Sequence, residues 1–249
     1  MDERIVSWFS AGAASAVATR LVIADHHYGP EVVPAYCETH AEHRDNERFI
    51  ADCEQWFGRN VTRISSDEYA DTWDVWERRR YLAGINGAPC TVELKIKPRL
   101  QFQRPNDIHV FGYTADAADA ARADRLRANY PELTIITPLI ERGLTKQACL
   151  AMVAGAGIQP PVLYALGFSN NNCLPCVKAT SPAYWALVRE HFPEVFSRMA
   201  VLSREIGARL CRLNGERAFI DEIPANHPTT GALVPHCDFL CHIAEQEYV

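Results

Sequence analysis

A strand, a loop of small residues and a helix follow one another near the start of the chain. Residues 5–10 form a short apolar run rich in β-forming side chains, and residues 16–24 have a helical pattern. The loop between them reads Ser10, Ala11, Gly12, Ala13, Ala14, Ser15. Such a loop presents backbone N–H groups and the positive end of a helix dipole, and its serines add hydroxyl donors. The segment therefore predicts an anion site where a strand leads directly into a helix.

Apolar segments of strand length recur further along and alternate with helical patterns. They cover residues 32–37, 61–65, 108–112 and 133–136. This alternation is typical of a parallel sheet whose strands are joined by helices. We expect an α/β fold with a doubly wound, mostly parallel five-stranded sheet over residues 1–160, binding a nucleotide at the carboxyl ends of its strands. Residues 161–249 are expected to form a helical portion packed on this domain. In it, the periodicity of residues 193–213 predicts a long amphipathic helix and a candidate homodimer face.

Composition and charge narrow the class of protein. The 249 residues are 48% hydrophobic and 22% charged, which excludes a mainly disordered chain. The formal net charge of −6 leaves no global positive field to draw the protein to nucleic acid or an anionic membrane. No window has the about 18 apolar residues of a membrane span, and the first residues lack the layout of a signal peptide. We expect a cytoplasmic protein whose partner is a small nucleotide and not a membrane; a nucleic-acid partner is not expected.

The spacing Ser10-x-Gly12-x-x-Ser15 differs from the phosphate loops of other common nucleotide-binding folds. It matches neither the P-loop nor the dinucleotide fingerprint, and it is not the nucleophile elbow of hydrolases. It resembles the PP-loop of the adenine nucleotide alpha hydrolase-like superfamily, which is usually Ser-Gly-Gly-x-Asp-Ser.

Further segments resemble one family of that superfamily, the phosphoadenylylsulfate (PAPS) reductases. In chain order they are the segment with Glu38, Thr39, His40 and Glu42 after the second strand, the basic segment from Cys90 to Pro98, the turn from Gly112 to Arg122, and the run from Pro160 through Cys173-x-x-Cys176. Together they span residues 4–200 and look most like uncharacterised bacterial and phage-type members. The chain departs from the family in having one cysteine, Cys90, in place of an adjacent pair, and Thr114 where the family has a sulfonucleotide-binding arginine.

The resemblance implies that the ligand is an adenine nucleotide, either a sulfonucleotide or ATP. The residues that it assigns to nucleotide and phosphate binding are Ser10, Ala11, Gly12, Ala13, Ala14, Ser15, Thr39, Glu42, His43, Lys97, Gly112 and Arg122. Because a hydroxyl cannot replace the bidentate bonds of a guanidinium, Thr114 leaves open which nucleotide is bound.

The chain has nine cysteines. Because we expect it in a reducing compartment, these cysteines are interpreted as core residues, metal ligands or nucleophiles and not as a set of disulfides. Cys173 and Cys176 have the spacing at which both thiolates reach one metal or one cluster, with a redox dithiol as the other option. The candidate ligands are Cys90, Cys173, Cys176 and Cys237. A [4Fe–4S] cluster and a zinc ion both satisfy this count, so both stay open. The cysteines among apolar neighbours, which we expect in the core, are Cys37, Cys53, Cys149 and Cys211.

Cys241 and His242 loosely resemble the C-terminal Glu-Cys-Gly-Leu-His segment that carries the nucleophile of PAPS reductases. A neighbouring imidazolium raises the thiolate fraction that a nucleophile needs. The resemblance implies an oxidoreductase of sulfur metabolism: the thiol attacks a sulfonyl sulfur, and a thioredoxin-like reductant then releases sulfite. Cys241 is also a candidate fourth metal ligand, and the two roles compete for the same sulfur.

Two alternative functions remain. The first is an ATP-pyrophosphatase-type enzyme of the same fold that adenylates, or transfers sulfur to, a nucleic acid or a small molecule. Against it, Ala13 and Ala14 offer no ligand for Mg²⁺ at a leaving pyrophosphate. The second is a nucleotide- or metal-binding protein without catalytic activity, which Thr114 and the alanine-rich loop support.

Overall fold

The computed structural model describes residues 3–84 and 87–231, and its internal contacts divide the chain into two units. The first, called the sheet unit here, takes its described residues from Met1–Glu38, Arg44–Ser65 and Pro98–Pro161. The second, the helical unit, takes them from Thr39–His43, Ser66–Lys97 and Val162–Val249. Both units are therefore assembled from separate stretches of sequence.

The sheet unit is built around five parallel strands. They are β1 (Arg4–Trp8), β2 (Glu31–Cys37), β3 (Thr62–Ile64), β4 (Ile108–Val110) and β5 (Thr134–Ile136). Their order across the sheet is β3-β2-β1-β4-β5, and each neighbouring pair runs parallel. The expected doubly wound α/β fold is thus confirmed. All five residues of β1 are buried, as expected of a central strand that is covered on both faces.

Helices connect the strands of the sheet unit, and two more follow the last strand. They are α1 (Ala13–Asp25), α2 (Asp45–Phe57), α5 (Lys97–Phe102), whose first residue belongs to the helical unit, α6 (Ala117–Asn129), α7 (Pro138–Glu141) and α8 (Lys146–Gly155). Helix α1 carries the apolar face that its sequence predicts, with Ala16, Val17 and Val22 at most 1% exposed. Helix α2 ends at Gly58, whose φ of 65° is left-handed, the usual way for a glycine to stop a helix.

In its described residues, the helical unit contains several helices and a two-stranded hairpin. Its elements are α3 (Thr72–Arg79), α4 (Pro89–Thr91), a π-helix (Val92–Ile96), α9 (Val162–Ala165), α10 (Pro182–His191), α11 (Pro193–Ile206), β6 (Cys211–Leu213), β7 (Glu216–Ala218) and a 3₁₀ turn (Ile220–Glu222). No helix in the described part of the chain is long and apolar enough to cross a membrane.

The helix predicted over residues 193–213 is shorter than expected. It ends at Ile206 because Gly207 takes a left-handed φ of 80°. Asn214 and Gly215, both with positive φ, then turn β6 back onto β7 as an antiparallel pair. Asn-Gly is the preferred sequence for such a tight hairpin. The prediction was wrong here because the helical spacing of apolar residues continued through a glycine that stops the helix.

The cysteines expected in the core are confirmed as buried at three of four positions. Cys53, Cys149 and Cys211 have no exposed surface, and Cys37 is half-buried at the end of β2. Burial, aided by the Asp116 carboxylate, raises the pKa of Cys149 to about 11. Burial likewise raises the pKa of Cys211 to about 11. These thiols therefore stay protonated at neutral pH, as core residues do.

Candidate functional site

The loop between β1 and α1 is shaped by its two serines. The Ser15 hydroxyl donates to the Gly12 carbonyl oxygen at 3.0 Å and accepts from the Ser10 backbone N–H at 3.0 Å. The two hydroxyl oxygens lie 3.1 Å apart. Because a hydroxyl has one proton, the Ser15 hydroxyl is committed to the loop itself. The Ser15 hydroxyl thus holds the loop in position, and the contact of the exposed Ser10 hydroxyl with an anion stays a prediction.

The backbone of this loop is suited to receive the anion. Gly12 caps α1 without any side-chain hydrogen bond, and the first turn of the helix has no acidic residue. The first N–H groups of a helix have no acceptor within it, and they carry the positive end of the helix dipole. Ala11 holds a left-handed φ of 54°, a strained conformation of the kind that clusters at ligand sites.

Gly112 packs against the start of α1. It lies just beyond β4, and a Cβ placed on it would stand 2.7 Å from the Ser15 Cα and 2.8 Å from the Ser15 nitrogen. Strands β1 and β4 are neighbours, and the sheet continues from β1 to β2 on one side and from β4 to β5 on the other. Such a switch point is where doubly wound sheets bind ligands. The sequence therefore singled out Gly112 and the loop of residues 10–15 separately, and the fold brings them together.

Arg122 is held beside this region by an acidic partner. Its Nη1 lies 2.6 Å from Asp119 Oδ1. Asp119 also accepts from the Thr114 backbone N–H at 3.1 Å, and the Thr114 hydroxyl lies 2.9 Å from Asp119 Oδ2 and 2.8 Å from Asp116 Oδ2, with one proton between the two carboxylates. Thr114, which stands in place of the family's arginine, therefore fixes the carboxylate that neutralises Arg122. A bound anion would share Arg122 with Asp119.

Thr39 and Glu42, two further predicted nucleotide contacts, lie with a cysteine in the helical unit. The Thr39 hydroxyl lies 2.6 Å from Glu42 Oε1, to which it donates, and 2.9 Å from Cys173 Sγ. The Glu42 carboxylate also accepts from the backbone N–H groups of Thr39 and Ala41, at 3.1 and 3.2 Å. Thr39 is 1% exposed. These contacts tie the segment after β2 to the predicted cysteine site.

Lys97 and His43 also contact side chains of the helical unit. Lys97 Nζ lies 2.5 Å from the Glu93 carboxylate, which pairs with Arg79 as well. Glu93 sits in the π-helix and is 1% exposed. Burial opposes its ionisation, but the hydrogen bonds from Lys97 and Arg79 outweigh this and hold the pKa of Glu93 below its usual range. The His43 ring lies edge-on against Phe192, with centroids 5.7 Å apart.

Three cysteines predicted as metal ligands line one cleft of the helical unit, which we call the thiol cleft. Its cavity volume is about 20 Å³, which is room for little more than one water molecule. Its lining residues are Thr72, Trp76, Cys90, Thr91, Asn172, Cys173, Pro175, Cys176, Val177 and Lys178. The turn that carries the cysteine pair is anchored by two hydrogen bonds, from the Leu174 N–H to the Ala41 carbonyl oxygen at 2.7 Å and from the Cys176 N–H to the Tyr184 hydroxyl at 2.6 Å.

Two lining residues of the thiol cleft, Thr72 and Trp76, each have a buried polar atom without a hydrogen-bond partner, the Thr72 hydroxyl and the Trp76 indole N–H. Within residues 3–84 and 87–231, no three histidine, cysteine, aspartate or glutamate side chains form a group that could hold a metal ion. The fourth predicted ligand, Cys237, and the predicted nucleophile pair, Cys241 and His242, lie outside the described residues.

Neither Thr72 nor Trp76 is among the site residues that the sequence predicted. Their spacing of four residues is the only sign of them in the sequence, because it places a hydroxyl and an indole N–H on one face of a predicted helix. Which of the buried side chains lack a partner depends on the fold and cannot be read from that spacing.

Comparison with known proteins adds no family to this geometry. No family model matches the chain, and a search of curated proteins finds no match.

Proposed function

We propose that this chain is an adenine-nucleotide-binding enzyme resembling PAPS reductase, which reduces a sulfonucleotide to sulfite and nucleotide through a cysteine thiol. The observation that carries the proposal is the close packing of Gly112 on Ser15 beside the loop of residues 10–15, at the switch point of the sheet. A glycine at that position keeps the end of β4 against the start of α1. In the crevice next to it, a phosphate or sulfonate group would accept hydrogen bonds from the backbone N–H groups of the loop.

The composition of the loop favours a sulfonucleotide over cleavage of ATP between its α and β phosphates. Cleavage of that kind needs a group that holds Mg²⁺ at the leaving pyrophosphate. Ala13 and Ala14 have no such group, and the first turn of α1 has no acidic residue. An uncharged loop of this kind still binds an anion through its backbone.

In the proposed reaction a cysteine thiolate attacks the sulfonyl sulfur of the substrate. A new S–S bond forms, the bond from that sulfur to the bridging oxygen breaks, and the nucleotide leaves with the electron pair. A thiol of a thioredoxin-like reductant then attacks the cysteine sulfur, releases sulfite and leaves a disulfide, so the two electrons come from the two thiols. Cys241, with His242 beside it, stays the predicted nucleophile.

The thiol cleft is the proposed place for the metal group. Cys90, Cys173 and Cys176 would hold an iron–sulfur cluster or a zinc ion, with Cys237 as the fourth ligand. An iron–sulfur cluster, when bound, supplies an electron-accepting centre. The residues around it would position the ligands: Tyr184 anchors the backbone of the cysteine turn, and Thr39 lies against Cys173 Sγ.

Calorimetric titration of the full chain with adenylylsulfate, its 3′-phosphorylated form and ATP tests the proposal. We expect both sulfonucleotides to bind, and at least one to bind more tightly than ATP. Assays of sulfite release with a dithiol reductant and of pyrophosphate release from ATP then separate the two reactions. Pyrophosphate release without sulfite release would replace the reductase with the adenylating enzyme. Binding without either product would leave the non-catalytic protein.

A further inference from the structure

The hairpin of the helical unit places two arginines directly opposite each other. Residues 209–219, called the arginine hairpin here, contain β6, β7 and the tight turn between them. In the register of the two strands, Cys211 lies opposite Ala218, and Arg212 lies opposite Arg217. Cys211 and Ala218 are buried, whereas both arginines are exposed. The first pair therefore anchors the hairpin, and the second presents two like charges to solvent.

The charges of the arginine hairpin are not compensated as those of nearby arginines are. Like charges directly opposite each other destabilise a strand pair. Other exposed arginines of the helical unit lie within 4.0 Å of an aspartate or glutamate: Arg78, Arg79, Arg80, Arg198 and Arg204. Within residues 3–84 and 87–231, no carboxylate lies that close to Arg209, Arg212 or Arg217. The hairpin thus carries three arginines and one glutamate in a chain whose formal net charge is −6.

The two opposed guanidinium groups are held at different ends of the hairpin. Arg212 Nη1 donates to the Gly215 carbonyl oxygen in the turn at 3.2 Å, and Arg217 Nη1 donates to the Leu210 carbonyl oxygen at the base at 3.3 Å. Because each strand residue adds about 3.3 Å, these two carbonyl oxygens are roughly 10 Å or more apart. A single phosphate or sulfate ion is too small to reach both groups. The surface therefore suits an extended ligand with several negative charges.

We infer that Arg209, Arg212 and Arg217 bind the phosphate backbone of a nucleic-acid strand. Guanidinium groups form charge-assisted, bidentate hydrogen bonds with phosphate. Arg209 adds the third charge beside the Phe219 ring, with its guanidinium carbon 5.4 Å from the ring centroid. A strand has a phosphate at every nucleotide, so it offers charges at the required separation in any register and with any sequence.

The energetics of exposed charges favour a phosphate backbone over an acidic peptide. Pairs between exposed arginines and flexible carboxylates contribute little to affinity. A nucleic-acid strand also releases its condensed counterions when arginines neutralise its phosphates, and this release supplies most of the affinity of sequence-independent binding. The acidic net charge of the chain predicts no nucleic-acid partner, but net charge does not describe a local surface. The inference does not depend on the proposed function, because the loop of residues 10–15 belongs to the sheet unit.

The experiment titrates a fluorescently labelled single-stranded DNA of about 20 nucleotides, without a terminal phosphate, with the full chain at several salt concentrations. Fluorescence anisotropy gives the binding constant at each concentration. Three phosphate contacts on a single strand predict that the logarithm of the binding constant falls against the logarithm of salt with a slope of about −2. Arg212→Gln and Arg217→Gln should each make the slope shallower by about 0.7, and should weaken binding to different sequences alike.

Arg198→Gln is the matched control, because Arg198 is similarly exposed but its guanidinium pairs with Glu77 at 2.9 Å. It should keep the wild-type slope. Arg212→Lys keeps the charge and should also keep the slope, which separates the loss of a charge from a misfolded hairpin. Inorganic phosphate at equal ionic strength should not compete with the strand.

Three outcomes overturn the inference. The first is a wild type that does not bind the strand at low salt, and the second is wild-type binding by both Arg212→Gln and Arg217→Gln. The third is competition by a polyglutamate peptide of equal charge that matches competition by unlabelled DNA, which would assign the surface to an acidic protein. Because no sulfonucleotide or ATP is added, each outcome leaves the nucleotide titration as a separate test.

Discussion

Gly112 and Ser15 are packed so closely that a single methyl group on Gly112 would stand 2.7 Å from the Ser15 Cα. The neighbours of that methyl group are backbone atoms, which cannot rotate away as the end of a side chain can. The end of β4 and the start of α1 are therefore fixed against each other. The loop of residues 10–15 keeps its shape through this contact as well as through its serines.

We predict that Gly112→Ala weakens nucleotide binding at least about ten-fold and lowers the free energy of unfolding by about 1–3 kcal/mol, since overpacking displaces the first turn of α1. Titration calorimetry and urea unfolding measure the two effects. Gly155→Ala is the control, because a Cβ there meets nothing within 4 Å. Wild-type nucleotide affinity in Gly112→Ala would contradict the placement of the ligand beside this glycine.

The Thr39 hydroxyl gives a prediction on stability. Thr39→Val keeps the shape of the side chain but leaves the Glu42 carboxylate without its 2.6 Å donor and removes the contact with Cys173 Sγ. The loss should lower the free energy of unfolding by about 1–3 kcal/mol. Thr39→Ser restores the hydroxyl and should recover most of the loss. Equal destabilisation by both substitutions, seen in urea unfolding, would show that the methyl group matters and the hydrogen bond does not.

Glu93 and Glu68 both pair with Lys97, but only Glu93 is buried, so their substitutions should differ in effect. Glu93→Gln removes the buried charge that pairs with Lys97 and Arg79, whereas Glu68 is 55% exposed and 3.9 Å from Lys97 Nζ. We expect Glu93→Gln to lower the free energy of unfolding by about 1–3 kcal/mol. Glu68→Gln should change it by less than about 0.5 kcal/mol. Chemical denaturation of both variants at neutral pH checks the order, and a larger loss for Glu68→Gln would refute it.

His109 makes stability depend on pH. Its Nδ1 accepts from the Trp8 indole N–H at 3.0 Å, and burial together with the Arg99 charge lowers the pKa of His109 from 6.5 to about 4. In the unfolded chain His109 is protonated below pH 6.5, whereas in the folded chain it is protonated only below about pH 4. As the pH is lowered through that window, the protonation of His109 should lower the free energy of unfolding by about 1.4 kcal/mol per pH unit.

His109→Gln tests this assignment, because its amide oxygen still accepts from Trp8 and does not titrate. Urea unfolding at several pH values should give a shallower fall for His109→Gln than for the wild type. His27→Gln, at an exposed position, is the control and should keep the wild-type slope. An unchanged slope in His109→Gln would assign the pH dependence to other groups.

The sheet could be predicted from the sequence because each strand has its own local signal. Short apolar runs bounded by turn residues gave all five strands, with ends that differ by a few residues: the fourth strand was predicted to Gly112, but β4 ends at Val110. The difference has a physical cause. Phe111 still donates its backbone N–H to the Ile136 carbonyl oxygen of β5 at 3.3 Å, whereas Gly112 packs against the start of α1.

The sequence predicted that Cys90, Cys173 and Cys176 lie together, and the structure places all three along one cleft, but the surroundings of that cleft could not be predicted. A spacing of two residues shows that Cys173 and Cys176 lie close together, whatever the fold. No local pattern shows that the Thr39 hydroxyl lies 134 residues away in sequence but 2.9 Å from Cys173 Sγ, or that Trp76 is buried without an acceptor. Those facts depend on long-range packing, which a single sequence does not display.

Because the segments of the two units alternate along the chain, neither unit can be separated from the other by a single cut. The polypeptide passes between the sheet unit and the helical unit five times, at residues 38/39, 43/44, 65/66, 97/98 and 161/162. A truncation after residue 161 would therefore leave residues 39–43 and 66–97 attached to the sheet unit without the rest of their own unit. No single protease cut or shortened gene yields either unit alone, so the proposed nucleotide binding and the proposed thiol chemistry must be tested by point substitutions in the intact chain.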